Sequence, residues 1–189
     1  MSDQRLSRDP TRRDHHHLSK WVLLASLALL IATPGRAAAG HALYVEPRIL
    51  GRLPLRVEFE LKAAFQTALE RVRRIPACRS LFEDLGADGS AALTSTIYHL
   101  APESLDKRVC QDRDAGAFTV VGSPVTWICP RSFLKVRGLE AALLLIHEAL
   151  HQAGLPEWPP HAGALSSVEI NQLVARSCSR SIDQGLVEP

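Results

Sequence analysis

Residues 138–153 read GLEAALLLIHEALHQA. This stretch contains no proline and no internal glycine and is rich in leucine and alanine, so it predicts an α-helix. The apolar residues form a broad face, which indicates a largely buried helix; they are Leu139, Ala142, Leu143, Ile146, Ala149 and Leu150. Gly154 stands at the C-cap position and Pro156 blocks continuation, so the helix is expected to end there.

The same helix contains His147-Glu148-Ala149-Leu150-His151, which has the pattern H-E-x-x-H. Residues i and i+4 lie one turn apart and differ by about 40° around the helix axis, so both imidazoles can reach one ion. Glu148 lies about 60° further round. There it can take a proton from a zinc-bound water as a general base without ligating the metal. The pattern therefore predicts one Zn²⁺ ion held by His147 and His151.

The motif and its surroundings resemble the zincin metallopeptidases. HEALHQAGLPEWPPH (147–161) is similar to the metzincin form H-E-x-x-H-x-x-G-x-x-H, with Gly154 in place and Glu157 where the third histidine would be. No Met-turn is present, because Met1 is the only methionine. AFTVVGSPVTWICPRSF (117–133) resembles the strand pair that precedes the metal-binding helix of small zincins, where an edge strand binds an extended peptide. The resemblance implies an α+β, zincin-like fold, with a small mixed β-sheet packed against the H-E-x-x-H helix, and hydrolysis of peptide or other amide bonds.

Three residues are candidates for the third zinc ligand. Glu157, six residues after His151, fits the metzincin-like geometry and is the first choice. Glu169 is the gluzincin-like choice, because in gluzincins a downstream helix supplies this ligand. However, Ser166-x-x-Glu169 is also a capping box, which would explain both residues without a metal. His161 is the third candidate, either as a ligand or as a group that stabilises a transition-state oxyanion.

The remaining chain predicts helices and strands around the central helix. Residues 57–75 carry apolar residues at helical spacing and stop before Pro76. Two more helices are expected, over about 78–85 and 168–179. Strands are expected over 94–100, 117–122 and 125–129, and a loop over 101–116.

The N-terminus has the pattern of a secretory signal. An uncharged apolar run of 12 residues (21–32) follows a basic stretch and precedes Ala37-Ala38-Ala39. A membrane span needs about 20 apolar residues, so this run is short for one. We assign residues 1–39 to a signal peptide, or to a membrane anchor if they are retained, and residues 40–189 to the metallopeptidase domain. The protein is expected to be exported: secreted, periplasmic or on the cell surface.

Export would place the four cysteines in an oxidising compartment. Cys78, Cys110, Cys129 and Cys178 all follow the signal segment. An even number of cysteines in an oxidising compartment predicts disulfides, here two. Three connectivities are possible, and the sequence does not choose among them.

Composition and charge narrow the function further. The chain is 46% hydrophobic with a net charge of +2, which argues against a disordered protein. Six of its 22 basic and three of its 20 acidic residues lie within 1–39, so residues 40–189 carry a net charge of −1. This leaves no basic patch for nucleic acid. We expect a peptide or protein substrate, a polypeptide or a cell-envelope peptide, and contact with a membrane only through a retained N-terminal segment. The alternative is a non-catalytic exported zinc-binding or interaction domain; Glu148 favours catalysis.

Overall fold

The structure is a computed structural model that describes residues 44–111 and 115–180. The predicted signal segment and the end of the predicted domain lie outside the described residues. All described residues belong to one compact unit. Within these ranges, none of the helices has both the length and the apolar character that a membrane span needs.

Helices and short strands alternate along the described chain. The helices are α1 (Leu55–Arg74), α2 (Pro76–Glu83), α3 (Gly89–Ser95), α4 (Glu103–Leu105), α5 (Pro130–Phe133), α6 (Leu139–Gln152) and α7 (Ser167–Cys178), and a π-helical turn (Asp106–Gln111) follows α4. The strands are β1 (Arg48–Ile49), β2 (Ile97–Leu100), β3 (Ala117–Thr119), β4 (Val125–Ile128), β5 (Glu157–Trp158) and β6 (Leu165–Ser166). This combination of several helices with a small sheet confirms the predicted α+β class.

Four strands form the main sheet in the order β1-β2-β4-β3. Strands β1, β2 and β4 are parallel, whereas β3 runs antiparallel to β4, with Thr119 opposite Thr126. Strand β3 therefore forms one edge of this sheet in the described chain, and it packs against helix α6. Strands β5 and β6 form a separate parallel pair between α6 and α7, with Glu157 opposite Leu165.

The core forms where helix α1 packs on helix α6. The apolar residues that predicted α1 are all buried in the structure: Val57, Leu61, Ala64, Phe65, Ala68, Leu69 and Val72. Helix α6 is buried along most of its length, because α1, α3, α7 and β3 all pack against it. Leu143 and Leu144 are only half-buried, since they line a cavity described below.

The segment before β2 corrects one sequence-based assignment. A strand was expected over residues 94–100, but the strand begins at Ile97 because helix α3 continues to Ser95. Asp88 caps this helix by accepting a hydrogen bond from the backbone N–H of Ala91 (2.9 Å). The hydroxyl of Thr94 donates to a carbonyl of the preceding turn (2.8 Å), so a residue that suggested a strand belongs to a helix.

The segment after β2 corrects a second assignment. Residues 103–111, expected to form part of a loop, instead form α4 and the π-helical turn. Both strands of the expected pair are present, but they are shorter than predicted, ending at Thr119 and Ile128.

Two disulfides join elements that are distant in sequence. Cys78–Cys178 links α2 to α7 across 100 residues, and Cys110–Cys129 links the π-helical turn to the residue after β4. These bonds confirm the predicted number and select one of the three connectivities. Two disulfides are consistent with an extracellular location.

Candidate metal centre at the end of helix α6

The two histidines of the motif lie on the last turns of α6 and are almost completely buried. His147 and His151 are each 3% exposed. Their Nε2 atoms lie 2.9 Å apart, which is the arrangement expected for residues one helical turn apart on the same face. Buried polar groups in an apolar environment are costly unless they have partners, so the partners of each ring nitrogen decide what this pair can do.

Gly154 ends the helix and brings the next residues back to His151. Its φ of +105° lies in the left-handed region, which favours glycine. The backbone N–H groups of Gly154 and Leu155 donate to the carbonyls of His151 (3.0 Å) and Leu150 (2.9 Å), which is a Schellman motif. The chain reversal places the carbonyl oxygen of Leu155 at 2.8 Å from Nδ1 of His151.

Helix α7 provides the corresponding partner for His147. Oδ1 of Asn171 lies 2.8 Å from Nδ1 of His147. Sequence reasoning missed Asn171, because α7 reaches α6 only through tertiary packing. The only available signal was general: a metal-binding histidine usually donates its second ring N–H to an oxygen.

These two hydrogen bonds fix the tautomers of both histidines. Each Nδ1 faces an oxygen acceptor, so each Nδ1 carries a proton and donates it. In a neutral imidazole the other nitrogen, Nε2, then carries a lone pair. Both lone pairs lie on the side of the site where Glu157 also approaches.

Glu157 completes a group of three electron-pair donors. Its Oε2 lies 3.0 Å from Nε2 of His151 and 3.9 Å from Nε2 of His147. The three ligand atoms all lie within 4.8 Å of one another. Zinc bonds of 2.0–2.2 Å in tetrahedral geometry place ligand atoms about 3.3 Å apart, and the observed separations of 2.9, 3.0 and 3.9 Å lie around that value. The group therefore fits a small divalent cation such as zinc.

The acid–base properties of the group reflect the same contacts. Burial disfavours the charged form of His147, but the nearby carboxylate of Glu157, the charge of Glu148 and the hydrogen bond with Asn171 together raise the pKa of His147 above its usual 6.5. The pKa of Glu157 is lowered, mainly by the nearby imidazole of His147 and against the effect of partial burial. The group thus attracts positive charge, whether a proton or a metal ion.

Glu148 lines the same cavity as His147, His151 and Glu157 but is not one of the three candidate ligands. Its side chain is nearly fully buried, and burial raises the pKa of its carboxyl although both histidines oppose the shift. The side chain of Thr119 also lowers this pKa but does not outweigh burial. Oε2 of Glu148 is buried and makes no hydrogen bond within the described part of the chain. A buried carboxylate beside a metal-binding group can act as a general base.

All four residues line one cavity of about 630 Å³. The edge strand β3 contributes to its wall, and Phe118, Leu143 and Leu144 are among its apolar residues. Apolar cavities with a few convergent polar groups are typical of binding sites. The cavity is thus large enough for a side chain and a segment of a bound molecule.

The two alternative third ligands lie outside the group. Glu169 is exposed, and its Oε2 accepts hydrogen bonds from the backbone N–H (2.8 Å) and the hydroxyl (2.7 Å) of Ser166, which together with the reciprocal bond form the capping box of α7. These bonds lower the pKa of Glu169. His161 is exposed on the loop between β5 and β6. Among the described residues, the structure brings Glu157, and neither Glu169 nor His161, together with the two histidines.

No family model, curated protein or solved structure matches this chain. The function has to follow from the chemistry of the site.

Proposed function

We propose that this protein is an exported zinc-dependent metallopeptidase with a zincin-like architecture. The observation that carries the proposal is the convergence of two Nε2 lone pairs and one carboxylate oxygen beside a buried carboxylate that is not part of the group. Three protein ligands leave a fourth position open, and an open position distinguishes catalytic from structural zinc sites. The two disulfides support export.

The architecture agrees with that of a zincin in most features and differs from it in one. The parts in agreement are a small mixed sheet, an antiparallel edge strand beside the cavity and a helix that carries H-E-x-x-H. The difference concerns the third ligand, because Glu157 precedes the downstream helix. That helix, α7, contributes Asn171 as a hydrogen-bond partner of His147 instead.

Four residues take part in the proposed reaction. His147, His151 and Glu157 would hold the metal. When bound there, zinc supplies a Lewis acid for the scissile carbonyl and a water of lowered pKa. Glu148 would accept the proton of the attacking water and deliver it to the leaving amine. An extended peptide would lie along β3, whose outer side pairs with no other strand of the described chain and can add one more.

The test compares cleavage and zinc content in the purified protein. Wild type is expected to hold one zinc ion and to cleave casein or a quenched-fluorescence peptide mixture. A chelator should abolish cleavage, and added zinc should restore it. Glu148→Gln should retain zinc but lose about 10²- to 10⁴-fold in kcat, the range of general acid–base catalysis.

The matched control is Glu70→Gln, the same change at a surface carboxylate that pairs with Arg74 on α1. This variant should cleave as wild type does. Equal activity of Glu148→Gln and wild type, or a wild-type protein that binds zinc but cleaves nothing, would contradict the proposal and favour a non-catalytic zinc-binding domain.

A further inference from the structure

The first turns of helix α1 carry two large apolar side chains that face solvent. Leu55 is 85% exposed and Phe59 is 70% exposed. They stand four residues apart, so they lie next to each other on one face of the helix. Another side of α1 is buried against α6, so this apolar patch has no part in the core. Single exposed apolar residues need no explanation, whereas adjacent large ones are typical of a contact surface.

The described chain begins on the same face of α1 as the apolar patch. Lys62 and Gln66 continue this face at helical spacing. The carboxylate of Glu46 lies 3.5 Å from Nζ of Lys62. The side chain of Gln66 donates a hydrogen bond to the backbone carbonyl of Val45. Tyr44, the residue before, is 60% exposed, so the preceding chain joins the described structure on this face.

The sequence before Tyr44 contains a segment suited to a membrane. The run 21–32 is apolar and uncharged, and only the 11 residues 33–43 separate it from Tyr44. An extended chain spans at most about 3.6 Å per residue, so this connection reaches no further than about 40 Å. A retained run would therefore tether the domain to a bilayer by the face that carries the apolar patch.

Two arginines border the apolar patch. Arg52 precedes α1 and Arg56 follows Leu55 in its first turn, and both are exposed. Neither guanidinium has a partner among the described residues. The nearest acidic residue in the helix, Glu58, is paired with Lys62 (2.9 Å). Apolar side chains flanked by arginines are typical of surfaces that bind anionic membranes.

We propose that the N-terminal end of α1 contacts the surface of an anionic phospholipid bilayer. Leu55 and Phe59 would enter the boundary between headgroups and acyl chains, and both arginines would contact phosphates. This extends the expected membrane contact from the N-terminal segment to the folded domain. A second copy of the chain fits less well, because a stable protein interface buries about 800 Å² per partner and two side chains offer far less.

The experiment places a fluorescent reporter in the apolar patch of the full-length protein. The added emission of Phe59→Trp, taken as the difference from wild type, should shift to the blue when vesicles of phosphatidylglycerol and phosphatidylcholine are added. Brominated acyl chains in these vesicles should quench it. The matched control is Val168→Trp, because Val168 is an apolar residue on α7 that is 64% exposed; its added emission should not be quenched. The readout reports which face meets the lipid, so it holds even where residues 21–32 bind the vesicles on their own.

The arginines are tested in the Phe59→Trp background. Arg52→Gln together with Arg56→Gln should lower the equilibrium constant for contact, measured from the extent of quenching, about 10- to 30-fold. Vesicles of phosphatidylcholine alone should show no such difference. The proposal would be overturned by an unquenched reporter in Phe59→Trp, by equal quenching in Val168→Trp, or by quenching that does not depend on the arginines.

A different occupant of the face would also be visible. A blue-shifted emission of Phe59→Trp without vesicles would show that protein covers the apolar patch, and it would overturn the proposal. None of these residues belongs to the candidate metal centre. Zinc content and peptide cleavage therefore test the proposed function separately from this inference.

Discussion

The hydrogen bond between Asn171 and His147 is a sensitive point of the candidate zinc site. It fixes the His147 ring with its Nε2 lone pair toward the site, at a distance of 2.8 Å from Nδ1 to Oδ1. Asn171→Leu keeps a side chain of similar size and shape but removes the acceptor. Loss of such a partner typically weakens metal binding about 10- to 100-fold, which corresponds to about 1.4–2.7 kcal/mol. We expect zinc affinity to fall by that amount, with little change in thermal stability of the metal-free protein.

Competition with a chromophoric chelator of known zinc affinity measures this change directly. Gln172→Leu is the matched control, because it places the same side chain on the neighbouring, exposed position of α7. The control should bind zinc as wild type does. Wild-type affinity in Asn171→Leu, or an equal loss in both variants, would refute the assignment of the His147 tautomer.

Three further predictions concern protons, disulfides and the turn after α6. A raised pKa means that protonated His147 stabilises the metal-free fold below about pH 6.5, and that this contribution is lost as pH rises through its folded pKa. Because the proton on His147 must leave before zinc binds, zinc affinity should increase with pH from 6 to beyond 6.5 and then level off. A flat profile in the chelator assay would contradict this. Replacing Cys78 and Cys178 by serine opens a 100-residue loop and should lower the free energy of unfolding by about 4–5 kcal/mol. Removing Cys110–Cys129, which closes a shorter loop, should lower it by only roughly 3 kcal/mol. A larger loss for Cys110–Cys129 in denaturant unfolding would contradict this reasoning. Gly154→Ala forces an L-residue to φ +105°, so it should cost about 1–2 kcal/mol, lower Tm by several degrees and weaken zinc binding, whereas unchanged affinity would show that the turn does not place Glu157.

The sequence predicted the elements whose signal is local. Helices α1 and α6 carry long, regular apolar patterns, and the residues that such a pattern marks in α1 are all buried. The H-E-x-x-H pattern depends only on helix geometry, so the proximity of His147 and His151 followed from their spacing. Between residues 89 and 111 the signals were weak or ambiguous: Thr94 and its neighbours favour a strand by composition, but a cap at Asp88 and tertiary packing produce a helix.

The parts of the site that the sequence left open depend on distant contacts. Glu157 and Glu169 both had suitable chemistry, and only the chain reversal at Gly154 and the pairing of β5 with β6 bring Glu157 to the histidines. The capping box that marked Glu169 in the sequence does engage its carboxylate. Asn171 had no local signal, because its position depends on how α7 packs on α6.

Zinc content of two matched glutamate variants shows whether Glu157 is the third ligand. Glu169→Gln preserves the capping box, which accepts either residue type, and Glu157→Gln removes the charge of the proposed third ligand. After gel filtration in zinc-free buffer, wild type and Glu169→Gln should each retain one zinc ion per chain, and Glu157→Gln should lose most of it. Retention of zinc in Glu157→Gln together with its loss in Glu169→Gln would contradict the proposed centre.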